Sequence, residues 1–168
     1  LAALFGCAVI TGVGAVVNTA QLNMGDNAAV VGLGGTGLAA VLGAKASGAK
    51  SVIGVDLNEN KLELGLEVGC DVVFNGKDPD LINKVRDYTD GGADFAFECV
   101  GSKHAMEIAY SLTRRGGTTC TSGLSDPAEK FAIQHVNLVA EEKTIKGSYL
   151  GSCIPKRDIP SYIELERN

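Results

Sequence analysis

The chain has 168 residues, of which 45% are hydrophobic and 21% are charged. This length and balance predict one folded domain with a sizeable core, and they argue against intrinsic disorder. A net charge of −5 provides no basic surface, so we expect neither nucleic acid nor a membrane as a partner. Twenty-two glycines and only 5% aromatic residues indicate a core of small and aliphatic side chains.

The five cysteines are scattered, and no two of them form a C-x-x-C pair. This pattern predicts neither a zinc ribbon nor a disulfide framework, so we expect a reducing, cytoplasmic compartment. The chain begins with Leu1 and has no basic segment there, which is not typical of a signal peptide. We therefore expect this chain to be part of a longer protein.

Strands and helices alternate along the chain about every 20–25 residues, which is typical of βαβ units. Residues 1–22 predict a helix or helical hairpin, whose glycines indicate a close backbone neighbour. Strands are predicted at 28–32, 51–55, 71–74, 93–100, 117–122 and 143–149, with helices at 36–46, 58–69, 80–88 and 103–112. The order predicts an α/β fold, a doubly wound parallel six-stranded sheet with residues 27–150 as its core. Residues 151–168 are expected to lead out of it.

The sharpest local signal is the G-x-G-x-x-G segment Gly32-Leu33-Gly34-Gly35-Thr36-Gly37. It directly follows the first predicted strand and opens a helix, which is the position typical of a dinucleotide-binding Rossmann domain. The first glycine permits a tight turn, the second lets a pyrophosphate approach the backbone, and the third lets the helix pack closely. The helix start, with its free N–H groups, favours phosphate binding.

Asp56 ends the second predicted strand, and it lies 19 residues after Gly37. A carboxylate at this position can accept hydrogen bonds from an adenosine ribose and would repel a 2′-phosphate. No arginine follows at Leu57 or Asn58, so the sequence predicts NAD rather than NADP. Lys61 is either a contact to the same ribose or a solvated surface lysine.

Other nucleotide-using classes fit less well. Methyltransferases that use S-adenosylmethionine share the glycine loop and the acid but do not need the third glycine. The Tyr-x-x-x-Lys pair of short-chain reductases and the G-x-x-x-x-G-K-[ST] of P-loop proteins are both absent. A stand-alone module that senses NAD(H) without chemistry would carry the same motif, so it remains an alternative.

Several segments together resemble zinc-dependent alcohol dehydrogenases of the medium-chain dehydrogenase/reductase family, and the resemblance covers essentially the whole chain. They are Gly6-Cys7-Ala8-Val9-Ile10-Thr11-Gly12-Val13-Gly14-Ala15, Gly25-Asp26, Val30 to Gly37, Val55-Asp56, Phe97-Glu98-Cys99-Val100-Gly101 and Lys146-Gly147-Ser148-Tyr149-Leu150-Gly151. The resemblance implies the NAD-binding domain of an enzyme that moves a hydride between a zinc-bound alcohol and NAD. Alcohols and aldehydes, including hydroxymethyl adducts of glutathione, are the implied substrates. A polyol or threonine dehydrogenase is the alternative within the family.

The resemblance also implies roles for single residues. Cys7 matches the third ligand of the catalytic zinc, and Thr11 matches the residue beside the nicotinamide ring. Further cofactor contacts are implied at Val100 and Ser102 near the adenine, at Ser122, Gly123 and Leu124 on the nicotinamide side, and at the backbone of Ser148 and Leu150 near the carboxamide. The other family zinc ligands have no counterpart here, so we expect zinc only in a full-length enzyme and no turnover by this chain.

The remaining cysteines, Cys70, Cys99, Cys120 and Cys153, match no ligand position, so we expect them to pack in the core. His104 and His135 are likewise expected to be surface or capping residues. The sixth predicted strand, 143–149, would be a sheet edge, and an exposed edge favours pairing with another strand. Because two such edges pair in the family, we expect a homodimer through this strand.

Overall fold

The computed structural model describes residues 5–165, and its centre is one sheet of six parallel strands. The strands are β1 (Asn27–Val31), β2 (Ser51–Asp56), β3 (Val72–Asn75), β4 (Ala93–Glu98), β5 (Thr113–Thr121) and β6 (Thr144–Gly147). They lie in the order β3-β2-β1-β4-β5-β6. Val30 of β1 is therefore in register with Gly54 on one side and with Phe97 on the other. The predicted doubly wound α/β fold is confirmed.

Helices cover both faces of this sheet. They are α1 (residues 5–20), α2 (Gly35–Ala46), α3 (Glu59–Val68), α4 (Leu81–Thr89), α5 (Lys103–Leu112), α6 (His135–Ala140) and α7 (Pro155–Leu165). Helices α1, α2 and α3 pack on one face, where Val30, Val52 and Phe97 are fully buried. Helices α4 and α5 pack on the other face, against the alternate residues of the same strands. Since every residue of β1 is buried, its short apolar run is that of a central strand.

The described part of the leading segment is one helix, not a hairpin. It has π-helical turns at Phe5–Val9 and Ala15–Ala20 on either side of the α-helical Ile10–Gly14. Two of its glycines have the close backbone neighbours that were predicted: a Cβ on Gly12 would overlap the Thr36 carbonyl oxygen, and one on Gly14 would overlap that of Gly151. Helix α1 therefore lies directly against the start of α2.

Several boundaries differ from the prediction. Strand β4 ends at Glu98 rather than residue 100, because the Glu98 side chain accepts the N–H groups of Val100 and Gly101 and turns the chain out of the sheet. Strand β5 begins four residues early, beyond a register shift against β4, and β6 is shorter than predicted. Helices α6 and α7 were not predicted. No helix within residues 5–165 is both long and apolar enough to cross a membrane.

Candidate functional site

A cleft of about 490 Å³ opens where the strand order reverses, at the carboxyl ends of β1, β2 and β4. Ligands of open parallel sheets bind at this topological switch point. Six of the predicted cofactor residues line the cleft together, namely Gly32, Gly34, Asp56, Lys61, Val100 and Ser102. The fold thus brings the glycine loop, Asp56 at the end of β2 and the segment after β4 to one cleft.

The three glycines of the motif have different steric surroundings. Gly32 has φ of +94°, donates its N–H to the Val55 carbonyl oxygen at 2.8 Å, and leaves no space for a Cβ beside Val100. A Cβ on Gly37 would overlap the Gly32 carbonyl oxygen, so close packing of α2 on the loop requires glycine. At Gly34, by contrast, a Cβ would meet no protein atom within 4 Å. Gly32 and Gly37 are therefore required by the protein's own packing, whereas Gly34 leaves a space open beside the cleft.

The start of α2 offers unpaired backbone N–H groups beside that space. Gly34 is the N-cap residue of α2, and it has no side chain to cap the first turn. The first amides of a helix, here at Gly35, Thr36 and Gly37, have no carbonyl partner within the helix. Together with the positive end of the helix dipole they form a ready site for an anion.

Asp56 connects the glycine loop to the start of α3. Its side chain is 10% exposed, and its two carboxylate oxygens accept hydrogen bonds from the backbone N–H of Leu33 at 2.8 Å and of Asn58 at 3.0 Å. The Lys61 ammonium lies 3.8 Å from the same carboxylate. An ionised carboxylate has about four acceptor positions, so Asp56 can still accept hydrogen bonds from a ligand.

The segment after β4 forms the opposite wall of the cleft. Val100 is 54% exposed and lies over Gly32. Ser102 has a structural task as well, because its hydroxyl oxygen accepts the Ala105 N–H at 3.2 Å and caps α5. His104, in the first turn of α5, also lines the cleft, and it was expected to be only a surface or capping residue. Its place directly after β4, beside the switch point, is the signal that could have identified it.

Glu98 is a second residue of the candidate site that sequence reasoning did not single out. It is 1% exposed, and one carboxylate oxygen accepts the N–H groups of Val100 at 2.8 Å and of Gly101 at 2.6 Å. The other oxygen accepts the Thr121 hydroxyl at 2.6 Å. These hydrogen bonds compensate for burial of the Glu98 carboxylate, which would be costly without partners. They also fix the segment after β4, which forms this wall of the cleft. An acidic residue at the end of a central strand was the available signal.

The other predicted residues lie outside the cleft. The Ser122 N–H bonds the Glu98 carbonyl oxygen at 2.9 Å, and Gly123 packs against the backbone of Gly101. Leu124 is 82% exposed beside them. Thr11, in contrast, is buried in α1, while Ser148 and Leu150 follow β6. Apart from Thr11, these residues follow β5 and β6, in the half of the sheet that β4, β5 and β6 form.

Cys7 is exposed in α1, and the surroundings do not complete a zinc site. Among the described residues, no three or more His, Cys, Asp or Glu side chains are grouped so that they could hold a metal ion. A structural or catalytic zinc needs at least three protein ligands, so residues 5–165 do not fit this metal by themselves.

The buried cysteines are poor metal ligands for an electrostatic reason. Burial raises the pKa of Cys70, Cys99 and Cys120 to about 12. Since metals bind the thiolate, these thiols remain protonated packing groups at neutral pH.

Comparisons with known proteins agree with the fold and with the family resemblance. The family model described as zinc-binding dehydrogenase matches residues 35–167. Alcohol dehydrogenase class-3 of Drosophila melanogaster is 37% identical over 166 residues, which are 96% of this chain and 44% of that protein. An S-(hydroxymethyl)glutathione dehydrogenase of Synechocystis is 35% identical over 164 residues, again 96% of this chain and 44% of that protein.

Solved structures lead to the same conclusion. The crystal structure of benzyl alcohol dehydrogenase from Acinetobacter calcoaceticus superposes with a TM-score of 0.93 at 32% identity. The match covers 97% of this chain and 45% of that one. The chain thus spans less than half the length of these relatives. Since the family model matches most of the chain, the chain belongs to the zinc-binding dehydrogenase family.

Proposed function

We propose that this chain is the NAD-binding domain of a zinc-dependent alcohol dehydrogenase. The observation that carries the proposal is the bond between the Asp56 carboxylate and the Leu33 N–H, which joins the acid after β2 to the glycine loop at the switch point. The loop is a phosphate-binding element and the acid a ribose-binding one. Their union in one cleft supports a ligand that contains both groups.

The residues of the cleft fit the adenosine half of NAD. The pyrophosphate would lie on the amides of Gly35, Thr36 and Gly37, in the space that Gly34 leaves open. The ribose hydroxyls would donate to Asp56, with Lys61 beside them. The adenine would lie against Val100 and Ser102.

The nicotinamide half would extend toward the ends of β5 and β6. Thr11, Ser122, Gly123, Leu124, Ser148 and Leu150 are the residues proposed to meet it. When bound, the nicotinamide supplies the acceptor or donor of a hydride. What this chain contributes is the binding and orientation of that ring.

Preference for NAD over NADP follows from charge at one position. The Asp56 carboxylate is held by two backbone N–H groups, so it cannot move far from an approaching 2′-phosphate. Two negative groups at hydrogen-bond distance repel strongly in a partly buried site. We therefore expect NADH to bind more tightly than NADPH.

The test is a titration with NADH and with NADPH, following nicotinamide fluorescence. Asp56→Asn should weaken NADH binding by about tenfold or more, since a hydrogen bond to a charged group contributes about 1.5–3 kcal/mol. The same change should narrow the preference for NADH over NADPH. Equal affinities of the wild-type protein for both cofactors would contradict the role of Asp56.

Asp71 provides a matched control for that variant. Like Asp56, it accepts a backbone N–H and pairs with a lysine. The N–H is that of Val52 in β2, at 2.7 Å, and the lysine is Lys45, at 3.0 Å. It lies before β3 and does not line the cleft. Asp71→Asn should therefore leave both affinities unchanged, so a loss of NADH binding in this variant too would point to a general loss of structure.

The substrates proposed for the whole enzyme are alcohols and aldehydes, because the relatives are named for them. In such an enzyme Cys7 would supply one ligand of the catalytic zinc. Since no three or more His, Cys, Asp or Glu side chains within residues 5–165 are grouped so that they could hold a metal ion, we expect no stoichiometric zinc in this chain. Metal analysis of the purified chain tests this, and one tightly bound zinc per chain would contradict it.

Assembly through β6 is the proposed route to a homodimer. Within residues 5–165, β6 has a neighbouring strand on one side only. Val136 and Val139, shortly before it, are 66% and 67% exposed. An uncovered strand edge with apolar residues beside it favours a second copy of the chain. Light scattering at increasing concentration tests this, and a monomer mass throughout would contradict it.

The compartment proposed for the protein is the reducing cytoplasm. All five cysteines are free thiols, and two of them, Cys70 and Cys120, are buried in the core on one face of the sheet. Proteins of oxidising compartments commonly pair their cysteines.

A further inference from the structure

A left-handed turn follows β6. Leu150, Gly151 and Ser152 have φ of +48°, +65° and +47° in succession. Residues other than glycine rarely adopt this conformation, and such backbone persists only where its surroundings hold it in place. The turn therefore needs contacts that hold it.

Helix α1 supplies these contacts at its carboxyl-terminal end. The Thr19 hydroxyl oxygen lies 2.8 Å from the Ser148 hydroxyl and 2.9 Å from the Ser152 hydroxyl. A hydroxyl can donate one hydrogen bond and accept two, so Thr19 can bridge both serines. The neighbouring Asn18 amide donates to the Gly151 carbonyl oxygen at 3.1 Å. Among the described residues, Thr19 is thus the one side chain that bonds both ends of the segment 148–152, which contains the turn.

The position of the turn gives these contacts a function. The Ser148 N–H donates to the Thr121 carbonyl oxygen at 2.8 Å, which places the start of the turn at the carboxyl ends of β5 and β6. A dinucleotide at the switch point lies across both halves of the sheet. Its adenosine half is accounted for by Asp56 on the β2 side, so its other nucleotide extends over β4, β5 and β6.

We infer that Thr19 is a positioning residue for the nicotinamide end of the dinucleotide, an inference that rests on the proposed function. It acts through the turn at residues 148–152, whose backbone it holds in one conformation. Loss of the hydroxyl frees the turn to relax toward ordinary backbone angles, and the groups that meet the nicotinamide end lose their order. The adenosine half, bound about Asp56 and the glycine loop, is unaffected.

The experiment compares NADH with ADP-ribose, which lacks the nicotinamide, by isothermal titration calorimetry. The wild-type chain should bind NADH more tightly than ADP-ribose. Thr19→Val should weaken NADH binding by about fivefold, which corresponds to the loss of one ordinary hydrogen bond between the protein and the nicotinamide end. The variant should leave ADP-ribose binding unchanged. Thr19→Ser should restore the wild-type ratio, because it restores the hydroxyl.

Two further variants complete the design. Ser152→Ala removes one of the two bonds at an exposed position, so it should shift the ratio in the same direction even if Thr19→Val does not fold. Thr119→Val removes the Thr113–Thr119 hydroxyl pair, 2.7 Å apart within β5, and should leave the ratio unchanged.

The outcomes distinguish failure of the positioning role of Thr19 from failure of the proposed NAD binding. If Thr19→Val weakens both ligands alike, or neither, the positioning role is overturned while NAD binding stands. The same holds if the wild-type chain binds NADH no more tightly than ADP-ribose. If the wild-type chain binds neither ligand, the proposed function fails and the inference fails with it.

Discussion

The two halves of the sheet build their ligand-facing ends from different kinds of contact. Around β1 and β2, the glycine loop meets Asp56, only 23 residues away along the chain. Around β5 and β6, the turn after β6 is held by Thr19, which is 129 residues from Ser148. A motif encodes the first half locally, whereas the second half depends on a helix from the other end of the chain. We therefore expect that substitutions can alter the recognition of adenosine and the placement of nicotinamide separately.

The largest expected effect is on binding, at Gly34. Since a Cβ there meets no protein atom, Gly34→Val should fold with at most a small loss of stability from a poorer helix cap. Its side chain fills the space that the pyrophosphate needs, and NADH affinity should fall by about a hundredfold, which is within the range of overpacking penalties. Fluorescence titration measures the loss, and a variant that folds and binds NADH normally would make the loop purely structural.

Gly37 should show the opposite behaviour, a loss of stability. A Cβ there overlaps the Gly32 carbonyl oxygen, so Gly37→Ala must separate α2 from the loop. Overpacking of this kind costs about 1–3 kcal/mol. Chemical denaturation measures the change in the free energy of unfolding. If Gly37→Ala were as stable as Gly34→Ala, the assignment of different tasks to the two glycines would be wrong.

A smaller effect is expected in the second half, where Asp158 of α7 supports the turn. Its carboxylate accepts the Ile154 N–H at 2.8 Å and lies 3.3 Å from the Asn18 amide. The Arg157 guanidinium, hydrogen-bonded to it, holds the pKa of Asp158 well below its usual range. A carboxyl whose pKa is lowered by folding stabilises the protein above its unfolded pKa of about 3.9, and this stability is lost as the pH falls further.

Asp158→Asn should therefore lower the melting temperature at neutral pH. The difference from the wild-type protein should shrink as the pH falls below about 4, because the carboxyl then takes up a proton in the unfolded wild-type chain, where its pKa is higher, before it does so in the folded one. Thermal melts across this range measure it. A difference that is constant with pH would show that the charge of Asp158 does not stabilise the fold.

The same contrast explains what the sequence allowed us to predict. Apolar, β-branched runs predicted all six strands, and the glycine motif predicted the loop at the switch point, because both signals lie within short segments. Helix α7 could not be predicted: Pro160 lies inside it, and its buried residue Tyr162 packs on Ile10 and Val13 of α1. Helix α6 has no buried residue and so no periodic pattern.

The site residues that the sequence did not predict also depend on contacts between distant segments. Glu98 becomes intelligible only with its partners Val100, Gly101 and Thr121, the last of which is 23 residues away on a neighbouring strand. The role inferred for Thr19 depends on a turn that no local pattern predicts. The role of a residue whose partners lie far away along the chain can be assigned only from the structure.

The most direct test of the account is a ¹⁵N–¹H correlation spectrum of the chain during titration with ADP-ribose and then with NADH. ADP-ribose should shift the amides of Leu33, of Gly34 to Gly37 and of Val100. NADH should shift these and, in addition, amides near Ser122 and Ser148. Shifts confined to other surfaces, or none in the glycine loop at saturating NADH, would contradict the account.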